Sequence, residues 1–133
     1  MRTNWIAVGC ISAAVAVLLG AAGAHGLQNK VSGGDYEVWK TGVLYQSIHA
    51  LGLIVFGLFH EGVRREGRNT GSAPGWAFLL GTILFSGPLY AHPLGAPVAT
   101  LHLAPIGGFG LILGWILFAR AAISTGRATG DRA

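Results

Sequence analysis

Charge is scarce in this chain: Asp, Glu, Lys and Arg make up 11% of its 133 residues, against roughly 25% in a typical soluble domain. Four long apolar stretches, residues 5–24, 41–59, 75–91 and 98–118, contain no Asp, Glu, Lys or Arg at all. That absence argues against a proton pump or cation channel, which places ionisable residues along its pathway. Cysteine is almost missing as well. Cys10 is the single one; it cannot form an internal disulfide and has no neighbours of a metal or redox motif, which argues against a disulfide-exchanging membrane enzyme. Too few apolar residues precede it for a lipoprotein signal. Convincing internal repeats and low-complexity tracts are also missing, apart from a weakly polar C-terminal end.

What remains is hydrocarbon. Hydrophobic residues make up 52% of the chain, and each apolar stretch approaches or reaches the roughly 17 to 25 residues that a helix rising about 1.5 Å per residue needs to cross a bilayer. The expected fold is all-α, a polytopic membrane protein built as a bundle of four transmembrane helices. One membrane domain, 1–133, accounts for the chain, with 120–133 as a frayed tail, because the leftover residues fall short of the roughly 40 that fold independently.

The net charge of +4 does not point to nucleic acid, because the basic residues sit beside span ends. Arg2, Arg64, Arg65, Arg68, Arg120, Arg127 and Arg132 share one side if four helices cross, and only Lys30 and Lys40 lie on the other. The positive-inside rule then puts both termini in the cytoplasm of a multi-pass protein of the bacterial inner (plasma) membrane, or the corresponding organellar compartment. Trp5, Trp76 and Trp115 fall near the basic-side ends and Trp39 near the other, as expected of an interfacial aromatic belt. Arg2 before an apolar core ending in Ala22, Gly23 and Ala24 leaves a cleavable signal peptide open, although a core of roughly 20 residues exceeds the usual 7 to 15.

Small residues mark the packing faces. Gly9, Ala13, Ala16, Gly20 and Gly23 return to one face of the first helix, and Gly107, Gly110 and Gly114 do the same on the fourth; in lipid, such faces let backbones approach closely. Ser32-Gly33-Gly34-Asp35 predicts a turn with Asp35 as the N-cap of helix two. Residues 61–74 are expected to form a mobile connector, whereas 92–97, with two prolines, should be stiff. Pro88 and Pro105 fall inside predicted spans and predict kinks.

The polar residues of the spans are histidines, hydroxyls and one amide: His25, Tyr45, Gln46, His49, Thr82, Ser86, Tyr90, His92 and His102 lie within or beside them. Counting at about 1.5 Å per residue puts His49 ~12 Å and Ser86 ~15 Å deep from opposite surfaces, near the midplane, with the other histidines and Tyr90 in the non-cytoplasmic layer. Tyr45 and His49 share a face with Gly42, Gly52 and Phe56, and Thr82, Ser86 and Tyr90 form a hydroxyl stripe. A buried polar group in hydrocarbon costs several kcal/mol unless paired, so these faces are expected to meet. A polar pocket of His25, Tyr45, His49, Ser86, Tyr90 and His102 is one reading; a hydrogen-bonded lock on helix register is the other. A metal site is not expected, since no His-x-x-x-His or His-x-x-Glu pair occurs on one helix. His60 should be solvated at a loop edge. Ser86 and His49 have no acid to complete a catalytic triad.

Gly23-Ala24-His25-Gly26-Leu27, Val38-Trp39-Lys40-Thr41-Gly42 followed by Tyr45-Gln46 and His49-Ala50, Phe85-Ser86-Gly87 with Leu89-Tyr90, and Pro105-Ile106-Gly107-Gly108 occur in this order. In them the chain resembles the domain of unknown function 423 family of small bacterial inner-membrane proteins, itself similar to animal transmembrane protein 256. The resemblance implies a four-span membrane protein and carries no activity. His25, His49, Ser86, Tyr90 and Pro105 match the family pattern, while Pro88 departs from the small residue common there. The function expected is a non-enzymatic membrane component or accessory or assembly subunit, with the lipid bilayer and a membrane-protein partner or second copy around it. A small-molecule binding or transport protein, or a redox subunit holding haem or quinone, is the alternative; no cofactor is firmly implied.

Overall fold

Asn4 opens the first helix, its side chain accepting a hydrogen bond from the Ala7 amide (3.1 Å) and so satisfying one of the free N–H groups of the first turn. The computed structural model describes residues 3–130, and Arg2, Arg132 and the rest of 131–133 lie outside them. Helix α1 spans Trp5–Ala22, α2 Gly33–Arg65, α3 Ala73–Ala91 and α4 Leu103–Gly130. A π-helical turn, Gly23–Leu27, extends α1, and two 3-10 turns, His92–Leu94 and Val98–His102, join α3 to α4. No strand occurs among the described residues. All four helices are long and apolar enough to cross a membrane, and the molecule is an all-α, polytopic four-helix membrane protein.

Short antiparallel connections make chain neighbours spatial neighbours. Accordingly α1 packs on α2, α2 on α3 and α3 on α4, while α2 and α4 meet only lightly. The bundle is therefore closer to a folded row than to a square. Helix α2 lies inside the row, and its 33 residues rise about 50 Å, well beyond the ~30 Å hydrocarbon core.

Several local expectations change. Ser32, not Asp35, caps α2: its hydroxyl accepts from the Asp35 amide (3.1 Å) and donates to the Asp35 carboxylate (2.7 Å). The three-residue offset of a capping box explains the exchange of roles. Pro105 lies in the first turn of α4, because 98–102 is a 3-10 turn rather than the start of the helix; at that place its missing N–H breaks no interior bond. The connector expected at 61–74 shrinks to the residues between Arg65 and Ala73 and is tied down. The Arg68 guanidinium donates to the Thr125 carbonyl of α4 (3.2 and 3.3 Å), and the Asn69 side chain accepts from the Gly71 amide (2.9 Å). Residue 120, taken from sequence as the start of a tail, lies inside α4.

The tryptophans are not a simple belt. Trp5 is 2% exposed and forms the core with Leu53, Phe56 and Phe78, in the half of the bundle nearest the termini. It meets Trp76 edge-on at 5.2 Å, and a Cβ on Gly75 would stand 2.5 Å from its ring. Trp39, also buried, reaches across to α1 and donates to the Leu19 carbonyl (2.9 Å), a path open because Gly23 has no side chain.

Without a hydrophobic force between helices in lipid, close packing must hold the seams. On the α3–α4 seam a Cβ on Gly110 would lie 3.3 Å from Gly81 Cα, one on Gly114 would lie 2.7 Å from the Phe78 ring, and one on Gly107 would run into the Leu84–Phe85 backbone. That last peptide includes the carbonyl for which Pro88 has no N–H. Gly108, next in sequence, has only ordinary contact with the Phe85 ring. Gly107→Ala should therefore lose at least the 1 to 3 kcal/mol, roughly, of an overpacked core, whereas Gly108→Ala should be neutral or slightly stabilising. Thermal unfolding of both variants in the same detergent distinguishes packing from propensity, and equal behaviour would contradict the seam geometry.

Candidate functional site

The polar side chains of the spans form two clusters, on two flanks of α2. On the flank toward α1 and α3, Gln46 is the hub. Its amide nitrogen donates to the Ser12 carbonyl of α1 (3.1 Å), and its amide oxygen accepts from the Tyr90 hydroxyl of α3 (2.8 Å). Ser86, one turn before Tyr90, donates to the Gly42 carbonyl of α2 (2.9 Å), so two rungs four residues apart connect α3 to α2. Tyr90 also packs edge-on against Trp39 at 4.9 Å and fills the space left by Gly42.

On the flank toward α3 and α4, His49 is 5% exposed and both ring nitrogens are engaged. Nδ1 lies 2.7 Å from the Tyr45 carbonyl, and Nε2 lies 3.2 Å from the Trp115 indole nitrogen. A carbonyl can only accept and an indole N–H can only donate, so the ring carries its proton on Nδ1 and is neutral in this arrangement. Phe78 and Trp115 enclose it, with ring centroids 5.9 and 6.1 Å away. Tyr45 stands at the rim, partly exposed, its ring tilted against Phe85 at 4.5 Å.

Of the six residues grouped from sequence, Ser86 and Tyr90 thus meet in one cluster and Tyr45 and His49 in the other. His25 and His102 are exposed at the loop end and join neither. His92 opens the turn after α3, its Nε2 3.4 Å from the Asp35 carboxylate. His60, expected in solvent, is buried and its Nδ1 bonds the Thr70 hydroxyl (2.7 Å), because α2 continues past the predicted span end and the connector folds back over it. Gln46 and Trp115 were missed as site residues. Gln46 had a signal, as the lone amide side chain of the apolar stretches. Trp115 had a misleading one, since its place near a basic end also fits an interfacial anchor.

The chemistry open to these groups is restricted. Ser86 donates to a backbone carbonyl, not to His49, so no nucleophile–base pair forms. An imidazole with both nitrogens occupied has no lone pair left for a metal or haem iron unless Trp115 yields. Among the described residues no group of three His, Cys, Asp or Glu side chains comes together.

Residues 19–108 match the family described as "Protein of unknown function (DUF423)". The chain belongs to this family. It is 38% identical over 119 residues to the UPF0382 membrane protein YwdK of Bacillus subtilis, covering 90% of this chain and 95% of the relative. A UPF0382 membrane protein of Staphylococcus epidermidis is 36% identical over 90% of this chain and 94% of its own length. Another, from Staphylococcus aureus strain RF122, is 38% identical over 85% and 89%. No solved structure matches the chain. The matched segment of this DUF423 protein holds Gln46, His49, Ser86 and Tyr90, and stops short of Ser12 and Trp115.

The His49–Trp115 bond joins α2 to α4, helices that otherwise touch little. A double-mutant cycle of His49→Ala and Trp115→Phe, read by unfolding in detergent, should give a coupling of about 0.6 kcal/mol and at most ~1.7, the range for hydrogen bonds between membrane helices. Strict additivity would mean that the bond contributes nothing.

Proposed function

We propose that this protein is a non-enzymatic component of the bacterial inner membrane that serves as an accessory or assembly subunit, with both termini in the cytoplasm. The observation that carries the reading is the use made of the polar side chains. Gln46, His49, Ser86, Tyr90, Trp39 and Trp115 all form hydrogen bonds that position helices, which leaves no acid–base pair poised for turnover. The outward faces of α1 and α4 are broad and apolar, with Leu18 69% and Phe109 73% exposed, and suit lipid or the helices of a larger complex. Orientation follows from Arg64, Arg65, Arg68 and Arg120 at the end that carries the termini, against Lys30 and Lys40 at the other.

A photo-crosslinking amino acid placed at Leu18 or Phe109 tests the subunit role in intact cells. One discrete heavier protein adduct is expected from at least one of the two faces. Adducts to lipid alone from both would overturn the reading.

A further inference from the structure

His92 has an acceptor opposite each ring nitrogen. Its Nδ1 lies 3.3 Å from the Ala96 carbonyl and its Nε2 3.4 Å from the Asp35 carboxylate. Neither oxygen brings a proton, so the ring serves both only as an imidazolium, with an N–H at each nitrogen. His49 is the contrast within the molecule: a carbonyl on one side and the Trp115 N–H on the other leave it neutral. Two histidines of one chain are thus held in opposite charge states by what stands opposite each nitrogen.

Both acceptors are held in place without the His92 side chain. Asp35 lies in the first turn of α2, where its other carboxylate oxygen accepts from the Ser32 hydroxyl (2.7 Å) and where the helix dipole favours negative charge. The Ala96 carbonyl belongs to a turn closed by two backbone bonds, from the Gly95 amide to the His92 carbonyl and from the Ala96 amide to the Ala91 carbonyl, each 3.0 Å. Gly95 takes the left-handed conformation there, at φ 101°, and Pro93 and Pro97 fix the backbone on either side. The imidazole therefore joins two preformed parts, the start of α2 and the turn that follows α3.

Few other charges bear on the ring. The elements packed against its turn are α2, α3 and the second 3-10 turn. On α2, Glu37 and Lys40 pair with one another at 2.8 Å, and the Lys40 ammonium stands over the Tyr36 ring. Helix α3 holds no Asp, Glu, Lys, Arg or His, and its Tyr90 hydroxyl is bonded to Gln46. His102, at the end of the second 3-10 turn, is exposed. Among the described residues, Asp35 is the charged group within ion-pair distance of His92. The His92 side chain is 20% exposed and that of Asp35 36%, so solvent screens the pair only in part while protons still reach it.

We propose that His92 is a proton-operated clasp: protonated, it ties the turn after α3 to the start of α2, and on losing its proton it releases Asp35. A neutral ring keeps one N–H. With that N–H on the Ala96 carbonyl, the lone pair of Nε2 faces the carboxylate, and attraction turns to repulsion. The contact therefore adds stability in acid, and the contribution is lost as the pH rises through the range where histidine titrates and carboxylates stay ionised. Two residues before His92, Tyr90 donates to Gln46 and packs on Trp39, so release acts on the loop end of the α2–α3 seam. The clasp goes beyond the accessory role and stands without it.

The test unfolds the full chain in detergent in acid and in base, at about pH 5.5 and about pH 8.5, on either side of histidine titration. Four proteins are compared: the unaltered chain, Asp35→Asn, His92→Gln and the double variant. The cycle cancels the pH dependence of groups that the two substitutions leave alone. In acid, a coupling of about two- to fivefold in the unfolding equilibrium constant is expected, the range of a partly exposed ion pair; in base it should vanish. His92→Lys, whose charge persists in both conditions, should restore the coupling to Asp35 in base. Coupling that is absent in acid, that is equal in acid and base with His92 present, or that His92→Lys fails to carry in base would overturn the proposal.

Discussion

A polar group inside hydrocarbon has no water to fall back on, and α2 is organised by that constraint. Like α3 it has neighbours on both flanks, so its polar side chains must be answered from two directions. Gln46 does this with one amide, donating to α1 and accepting from α3. His49 does it one turn later with one imidazole, bonding its own helix at Nδ1 and α4 at Nε2. Each bond contributes modestly, since the separated helices would also find partners. Their directionality matters more. A rotation of α2 by one residue, about 100°, would break both sets, so the pair defines the rotation of every other helix in the row.

The two ends of the bundle solve different problems. Near the termini, Trp5, Leu53, Phe56 and Phe78 make an aromatic core, closed by glycines at 57 and 75 that admit the α1 backbone and the Trp5 ring. The polar contacts there seat the connector: the His60–Thr70 pair and the Arg68 guanidinium on the Thr125 carbonyl. Toward the loop end the contacts are hydrogen bonds, α1 and α3 separate, and a groove appears between them.

Much of this pattern is visible in residue spacing. The stripe of Thr82, Ser86 and Tyr90 had to face α2 because lipid offers a hydroxyl no partner, and Ser86 and Tyr90 do meet α2 at Gly42 and Gln46. The glycines of α4 predicted a close seam, and the approach of Gly107 to the Leu84–Phe85 peptide is that seam. What spacing cannot show is which neighbour answers a given side chain. Tyr45 and His49 share a face, yet that face meets Phe78 and Phe85 of α3 and Trp115 of α4, not the hydroxyl stripe. Trp115 reads as an anchor at a membrane interface until α4 is placed beside α2. His25 and His102 lie at the right depth for a pocket, but depth is one coordinate of three, and their positions around the helices leave them exposed.

The sequence by itself determined the solvent, the number of spans and their alternation, because each depends on length and hydropathy counted along one dimension. Only the tertiary structure decided that the polar groups divide into two clusters and that the histidine expected in a pocket is enclosed by two aromatic rings. Those outcomes depend on the rotation of each helix about its axis and on which helices stand next to each other. Both are set by the packing of all four helices together, through glycine contacts and hydrogen bonds between residues as far apart in sequence as 66 positions.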